Sequence, residues 1–172
     1  DLLAQARLRI LARQGRDAEY LNLAQAEGEL LLYVTRLIEL GEIARAVDEA
    51  IACLAMPSEV LATARLLEAR GHHAEALQVA APGLDLTYPY ALDELARWIA
   101  PRAEAQGNAA LALRAAEIAF RQSHRLDDYQ AAERIAGAHW LTVKRGLLDD
   151  LQQAGAYTEV DIYLYERMLV EA

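Results

Sequence analysis

The chain has 172 residues, 17 basic against 26 acidic side chains for a net charge of −9, and one cysteine, Cys53. That length can bury roughly 70% of the surface an unfolded chain exposes, so no covalent staple is required, and a lone cysteine excludes an internal disulfide framework or a multi-cysteine metal site. The acidic balance argues against a phosphate backbone or an anionic membrane as the main partner. Composition also points to one fold class. There are 36 Ala and 29 Leu against 7 Val, 8 Ile and 5 Thr, so helix formers outnumber β-branched residues and an all-α chain is expected.

Apolar periodicity and breakers predict eleven helices in chain order: Leu2 to Gln14, Asp17 to Glu27, Glu29 to Leu40, Glu42 to Ala55, Ser58 to Arg70, His73 to Ala81, Ala91 to Gln106, Ala109 to Gln122, Leu126 to Ala136, Ala138 to Gln153 and Thr158 to Glu166. Ser58 after Pro57 reads as an N-cap, Asn108 as another, and Asp127 with Asp128 as negative charge at a helix start. Pro101 interrupts the seventh segment, so a kink or a break near Ala100 is expected. No apolar stretch reaches the roughly 18 to 20 residues of a membrane span, and no leader pattern is visible at the N-terminus. Because the chain starts at Asp1 and stops inside a periodic segment, it reads as a piece of a longer protein.

The glycines carry a repeat. Aligning Gly15, Gly41, Gly71 and Gly107 superposes GRDAEYL, GEIARAV, GHHAEAL and GNAALAL, with Ala18, Ala44, Ala74 and Ala110 three residues on. Ala46, Ala76 and Ala112 follow at five residues, where the first unit has Tyr20; Leu21, Val47, Leu77 and Leu113 follow at six, and Leu11, Leu37 and Leu67 stand four before their glycines. Each such glycine is expected to end one helix in the left-handed conformation, with small Ala letting the next helix approach closely. Gly137 and Arg167 take the next two places, giving intervals of 26, 30, 36, 30 and 30 residues. Gly28, Gly83 and Gly155 fall midway, where one helix pair hands over to the next. The pattern predicts an α-solenoid of antiparallel helix pairs forming a single domain over 1–172. Its longest interval places a break in regularity at 82–91, within PGLDLTYPYALD.

Enzyme motifs such as HExxH, GxGxxG, GxxxxGK, GxSxG and DxDxDG do not occur. His72 and His73 directly follow a turn glycine, a position that favours an exposed pair over two metal ligands. His124 and His139 have no second ligand at helical spacing. Cys53 sits beside Ile51 and Leu54, as a small core hydrophobe would. Neither Asp127 with Asp128 nor Asp149 with Asp150 forms a shared-proton dyad, because adjacent helix residues point about 100° apart. Trp98, Trp140 and Phe120 read as packing groups. Tyr88 and Tyr90, flanking Pro89 in the long loop, suit a partner contact. Arg36 and Arg102 each stand five before a turn glycine and could line one face, although Leu66 and Ala132 at the equivalent places interrupt a continuous carboxylate-binding stripe.

From about Tyr20 onward the chain resembles the C-terminal helical region of bacterial SWIM-type zinc-finger proteins, itself similar to tetratricopeptide arrays. LIELGEIARAVDEAI from Leu37, LLEARGHHAEALQVAAPGLDL from Leu66, DELARWIA from Asp93, ALRAAEIAFRQSHRLDDYQ from Ala112 and IYLYERMLVEA from Ile162 carry the likeness. It implies irregular tetratricopeptide-like hairpins in a right-handed superhelix, a bacterial cytoplasmic protein, and a non-catalytic scaffold for protein partners. Zinc is implied only for a region N-terminal to this segment, whose CxCx(n)CxH ligands have no counterpart here, so no metal or cofactor is expected within it. Binding would involve Tyr88, Tyr90, Arg36 and Arg102, with no nucleic acid or membrane contact through this segment. The alternative is a helical metal-dependent hydrolase using His72, His73 and nearby carboxylates.

Overall fold

A computed structural model describes residues 2–155 and 159–167. Among them every regular element is helical: α1 (Leu2–Arg13), α2 (Asp17–Ala26), α3 (Leu30–Glu39), α4 (Ile43–Cys53), α5 (Pro57–Ala69), α6 (His73–Ala80), a 3₁₀ turn (Ala81–Asp85), α7 (Leu92–Ala105), α8 (Ala109–Ser123), α9 (Leu126–Ala136), a second 3₁₀ turn (Gly137–His139), α10 (Trp140–Ala154) and α11 (Glu159–Tyr165). The chain divides into two compact units, 1–83 and 84–172. Their boundary falls within 82–91.

One backbone turn recurs. At Gly41 (φ 80°) the amide donates to the Ile38 carbonyl at 3.1 Å, and the Glu42 amide reaches back to the Leu37 carbonyl at 3.0 Å. These two bonds cap the last turn of α3, and the left-handed residue between them is available to glycine without the steric cost a Cβ carries. Glu42 then serves as the N-cap residue of α4, its carbonyl accepting from Ala46 at 2.9 Å. The same bonds recur around Gly15, Gly71 and Gly107, with the following residue always at φ between −78° and −90° and ψ between 56° and 74°.

Gly28 makes this turn as well, with Glu29 donating to the Ala24 carbonyl at 2.9 Å. Its flanks follow the register: Ala24 four before, Tyr33 five after and Val34 six after are all buried. The handover between pairs is therefore built like the turn within a pair. Arg167 also keeps its place in the register, adopting φ 56° without being glycine.

Burial separates the aligned alanines. Ala46, Ala76 and Ala112 have at most 1% of their surface exposed, whereas Ala18, Ala44, Ala74 and Ala110 face solvent. Close approach thus rests on the fifth residue after each glycine and not on the third. The third lies about 160° of helical rotation from the fifth, which puts it on the outer face.

In the first unit α1 packs on α2, α2 on α3, α3 on α4 and α5, α4 on α6, and α5 on α6. Tyr33, Val34, Leu37 and Ile38 of α3 and Val60, Leu61, Ala64 and Leu67 of α5 supply much of its core. In the second unit α7 packs on α8, α8 on α9 and α10, and α9 on α10 and α11. Phe120, Tyr129, Leu95 and Ile99 are fully buried there.

Several local expectations change. Helix α5 starts at Pro57 with Met56 as N-cap residue, so Ser58 lies inside the first turn; proline's fixed φ and missing amide suit that first position. Asn108 does cap α8, accepting from the Leu111 amide at 3.1 Å. Helix α7 runs through Pro101, whose exposed side faces away from buried Leu95, Ile99, Ala100 and Ala103. Packing of that buried face holds the helix across the proline. Asp128 is buried, accepting from Arg97 Nε at 2.9 and 3.1 Å and from Ser123 Oγ. Its charge joins α9 to α7 as well as facing a helix start.

Candidate interaction groove

A concavity of about 590 Å³ in the first unit is bordered mainly by α1 and α3, the first helices of two successive predicted pairs, with Tyr20 of α2 and Glu59 of α5 at its edge. Leu8 of α1 forms a buried floor; Leu31, Leu32 and Thr35 of α3 stand half-exposed beside it, and Glu59 comes from α5. The geometry follows from amphipathic spacing. Tyr33, Val34, Leu37 and Ile38 turn inward, which directs Leu32, Thr35, Arg36 and Glu39 to the opposite side of α3.

Arg36 borders this groove already engaged. Its Nη1 donates to Glu39 at 2.7 Å, Nε to Asp17 at 3.0 Å and Nη2 also to Asp17, while the guanidinium lies 5.6 Å from the Tyr20 ring centre. The hydrogen bond to Asp17, followed by that to Glu39, raises the Arg36 pKa; burial raises that of Tyr20. Arg36 thus joins α3 to α2 and presents a partly neutralised guanidinium to the groove. Arg9 brings a second cation, without an ion pair among the described residues.

The other sites named from the sequence belong elsewhere. Tyr88 and Tyr90 are 51% and 68% exposed in the second unit's first loop. Arg102 lies in α7, its guanidinium 4.2 Å from the Trp98 ring centre and donating to the Trp98 carbonyl at 2.9 Å. The sequence grouped Arg36 with Arg102 by position. Arg36 engages Asp17, Glu39 and Tyr20, and Arg102 engages Trp98.

His72 is the N-cap residue of α6 and borders a smaller crevice of about 330 Å³ with Asp48 and Glu75; His73 is exposed. No group of three or more His, Cys, Asp or Glu side chains placed to hold a metal occurs among the described residues. His124 closes α8 in the left-handed conformation, edge-on to Phe120, and His139 is exposed. Cys53 is half-buried, its Sγ donating to Glu49 at 3.7 Å, with burial as the main cause of a raised thiol pKa.

Sequence reading missed two clusters in the second unit, Arg97 with Asp128 and the aromatic group around Tyr129. The Tyr129 ring packs 5.2 Å from Phe120, 5.0 Å from Trp140 and 6.2 Å from Tyr165. Its hydroxyl donates to Glu166 at 2.8 Å, and Lys144 also bonds Glu166. Both clusters serve packing between helices.

No protein-family model, curated protein or solved structure matches the chain. Among the described residues no helix is long and apolar enough to cross a membrane.

Proposed function

We propose that this chain is a non-catalytic scaffold that binds a protein partner, a tetratricopeptide-like α-solenoid of the kind found beside SWIM zinc fingers in bacterial cytoplasmic proteins. The observation that carries the reading is the groove between the successive first helices α1 and α3, with Glu59 of α5 at its edge. A row of first helices is where a stack of hairpins offers a continuous surface, and such a surface needs no reactive side chain. The turns around Gly15, Gly28, Gly41, Gly71 and Gly107 support a repeating architecture, since each makes the same paired backbone bonds. Leu31, Leu32 and Thr35 offer apolar contact area, with Arg9 and Glu59 supplying opposite charges that would orient a bound segment.

The Tyr88 to Tyr90 loop is a second candidate contact, since exposed aromatics give large contact area at low entropic cost. Selecting peptides from a displayed library on the purified chain, then measuring their affinity for Leu32→Glu and for Tyr88→Ala with Tyr90→Ala, tests both surfaces. Loss of affinity by at least about tenfold in the first variant supports the groove. Peptides indifferent to both changes would remove both surfaces from the reading.

A further inference from the structure

Helix α1 is apolar on two sides. Ala4 and Leu8 are buried inward, while Leu2, Leu3 and Ile10 are 87%, 58% and 54% exposed outward, with exposed Ala6 between them. Leu3, Ala6 and Ile10 recur at three- and four-residue spacing, so they form one short stripe along the helix. A helix with apolar residues on opposite sides is the usual element between two packed layers. The outward stripe is edged by Arg7 and Arg13, and α1 contains no acidic residue, although the chain as a whole carries −9. Arg7 and Arg13 make no ion pair among the described residues, whereas Arg16, Arg36, Arg45, Arg97, Arg114, Arg121, Arg125 and Arg134 each pair with a carboxylate.

We propose that this outward face of α1 is a docking surface for an acidic amphipathic helix of a partner protein, lying along Leu3, Ala6 and Ile10 with its carboxylates against Arg7 and Arg13. The stripe has the width of a single helix–helix seam, and cations at its edges select a seam flanked by acids. Two copies meeting through α1 would set arginine against arginine. An anionic bilayer would have to accept a molecule of net charge −9 to gain one narrow stripe. This surface is separate from the groove, which α1 borders through Gln5, Leu8, Arg9 and Ala12. It stands whether or not the groove binds peptide.

The test uses two synthetic three-heptad helical peptides with leucine seams, one flanked by glutamate and one by lysine, titrated onto the full chain by fluorescence anisotropy. The glutamate peptide is expected to bind at least about tenfold tighter, to weaken with added salt, and to lose binding on Ile10→Asp. The double variant Arg7→Glu with Arg13→Glu, changed only at exposed side chains, should exchange the preference for the lysine peptide. Equal binding of the two peptides, or a preference unaltered by the double variant, overturns the proposal. So does self-association in sedimentation velocity that Ile10→Asp abolishes, which would make a second copy the occupant. Capture by phosphatidylserine-containing vesicles without binding of the glutamate peptide would overturn it in favour of a lipid surface.

Discussion

Arg97 on α7 donates its Nε to both carboxylate oxygens of Asp128 on α9, at 2.9 and 3.1 Å, and its Nη2 to Asp93 at 2.7 Å. The Asp128 side chain is 7% exposed and that of Arg97 34%. One carboxylate therefore sits in low dielectric while its cation keeps some water. Removing the carboxylate leaves Arg97 with Asp93 and takes away the acceptor of the half-buried Ser123 hydroxyl, which still accepts from the Arg125 amide. Asp128→Ala is expected to cost about 1.5–3 kcal/mol, below the range for a fully buried pair because Arg97 is partly screened. Urea denaturation checks this, and a loss under about 0.5 kcal/mol would contradict it.

The repeating turn gives a prediction of opposite signs. A Cβ at Gly41 or Gly71 would meet nothing within 4 Å, so the cost of Ala there is that of the left-handed backbone alone, about 1–2 kcal/mol. Ala91 (φ 62°) and Arg167 (φ 56°) already bear that strain. Ala91→Gly and Arg167→Gly should stabilise by about 0.5–1 kcal/mol once the added freedom of the unfolded chain is deducted. Thermal melts of the four single variants read both directions at once.

Pro101 offers a third case. Proline at this depth in α7 removes one helical amide, and its exposed position lets alanine enter without disturbing the buried face. Pro101→Ala should raise stability by about 1–3 kcal/mol. A variant no more stable than the parent would mean that the helix is adapted to the proline.

Stability at alkaline pH should depend on Tyr129. Burial, then its hydrogen bond to Glu166, pushes this phenol well above the ordinary value of 10.0. A pKa raised on folding contributes stability that is complete below the unfolded value and is lost as pH rises from about 10 towards the folded one. The second unit should therefore weaken above about pH 10, and Tyr129→Phe should shrink that fall. Denaturant midpoints at pH 8 and pH 11 for parent and variant provide the measurement.

Much of the helical order was legible because glycine and alanine act locally. A glycine four residues after a buried Leu37 or Leu67, followed at five by buried Ala46 or Ala76, encodes a turn within a few residues of chain. Gly28 read as a handover outside the alignment because Leu31 stands three residues on, where the aligned units have alanine, although the backbone bonds are the same. The joining of Arg97 to Asp128, 31 residues apart, was not legible, because adjacent acids before a helix read first as caps. The groove was hidden for a similar reason. It depends on which sides of α1 and α3 face outward together, and chain order alone does not register the two helices.

Amide hydrogen exchange of the chain, with and without a library-selected peptide, tests the scaffold reading most directly. The account predicts slowed exchange concentrated in α1 and α3, Leu2–Arg13 and Leu30–Glu39, and its disappearance in the Leu32→Glu variant. Protection confined to α8 and α9, or unchanged by that substitution, would contradict it.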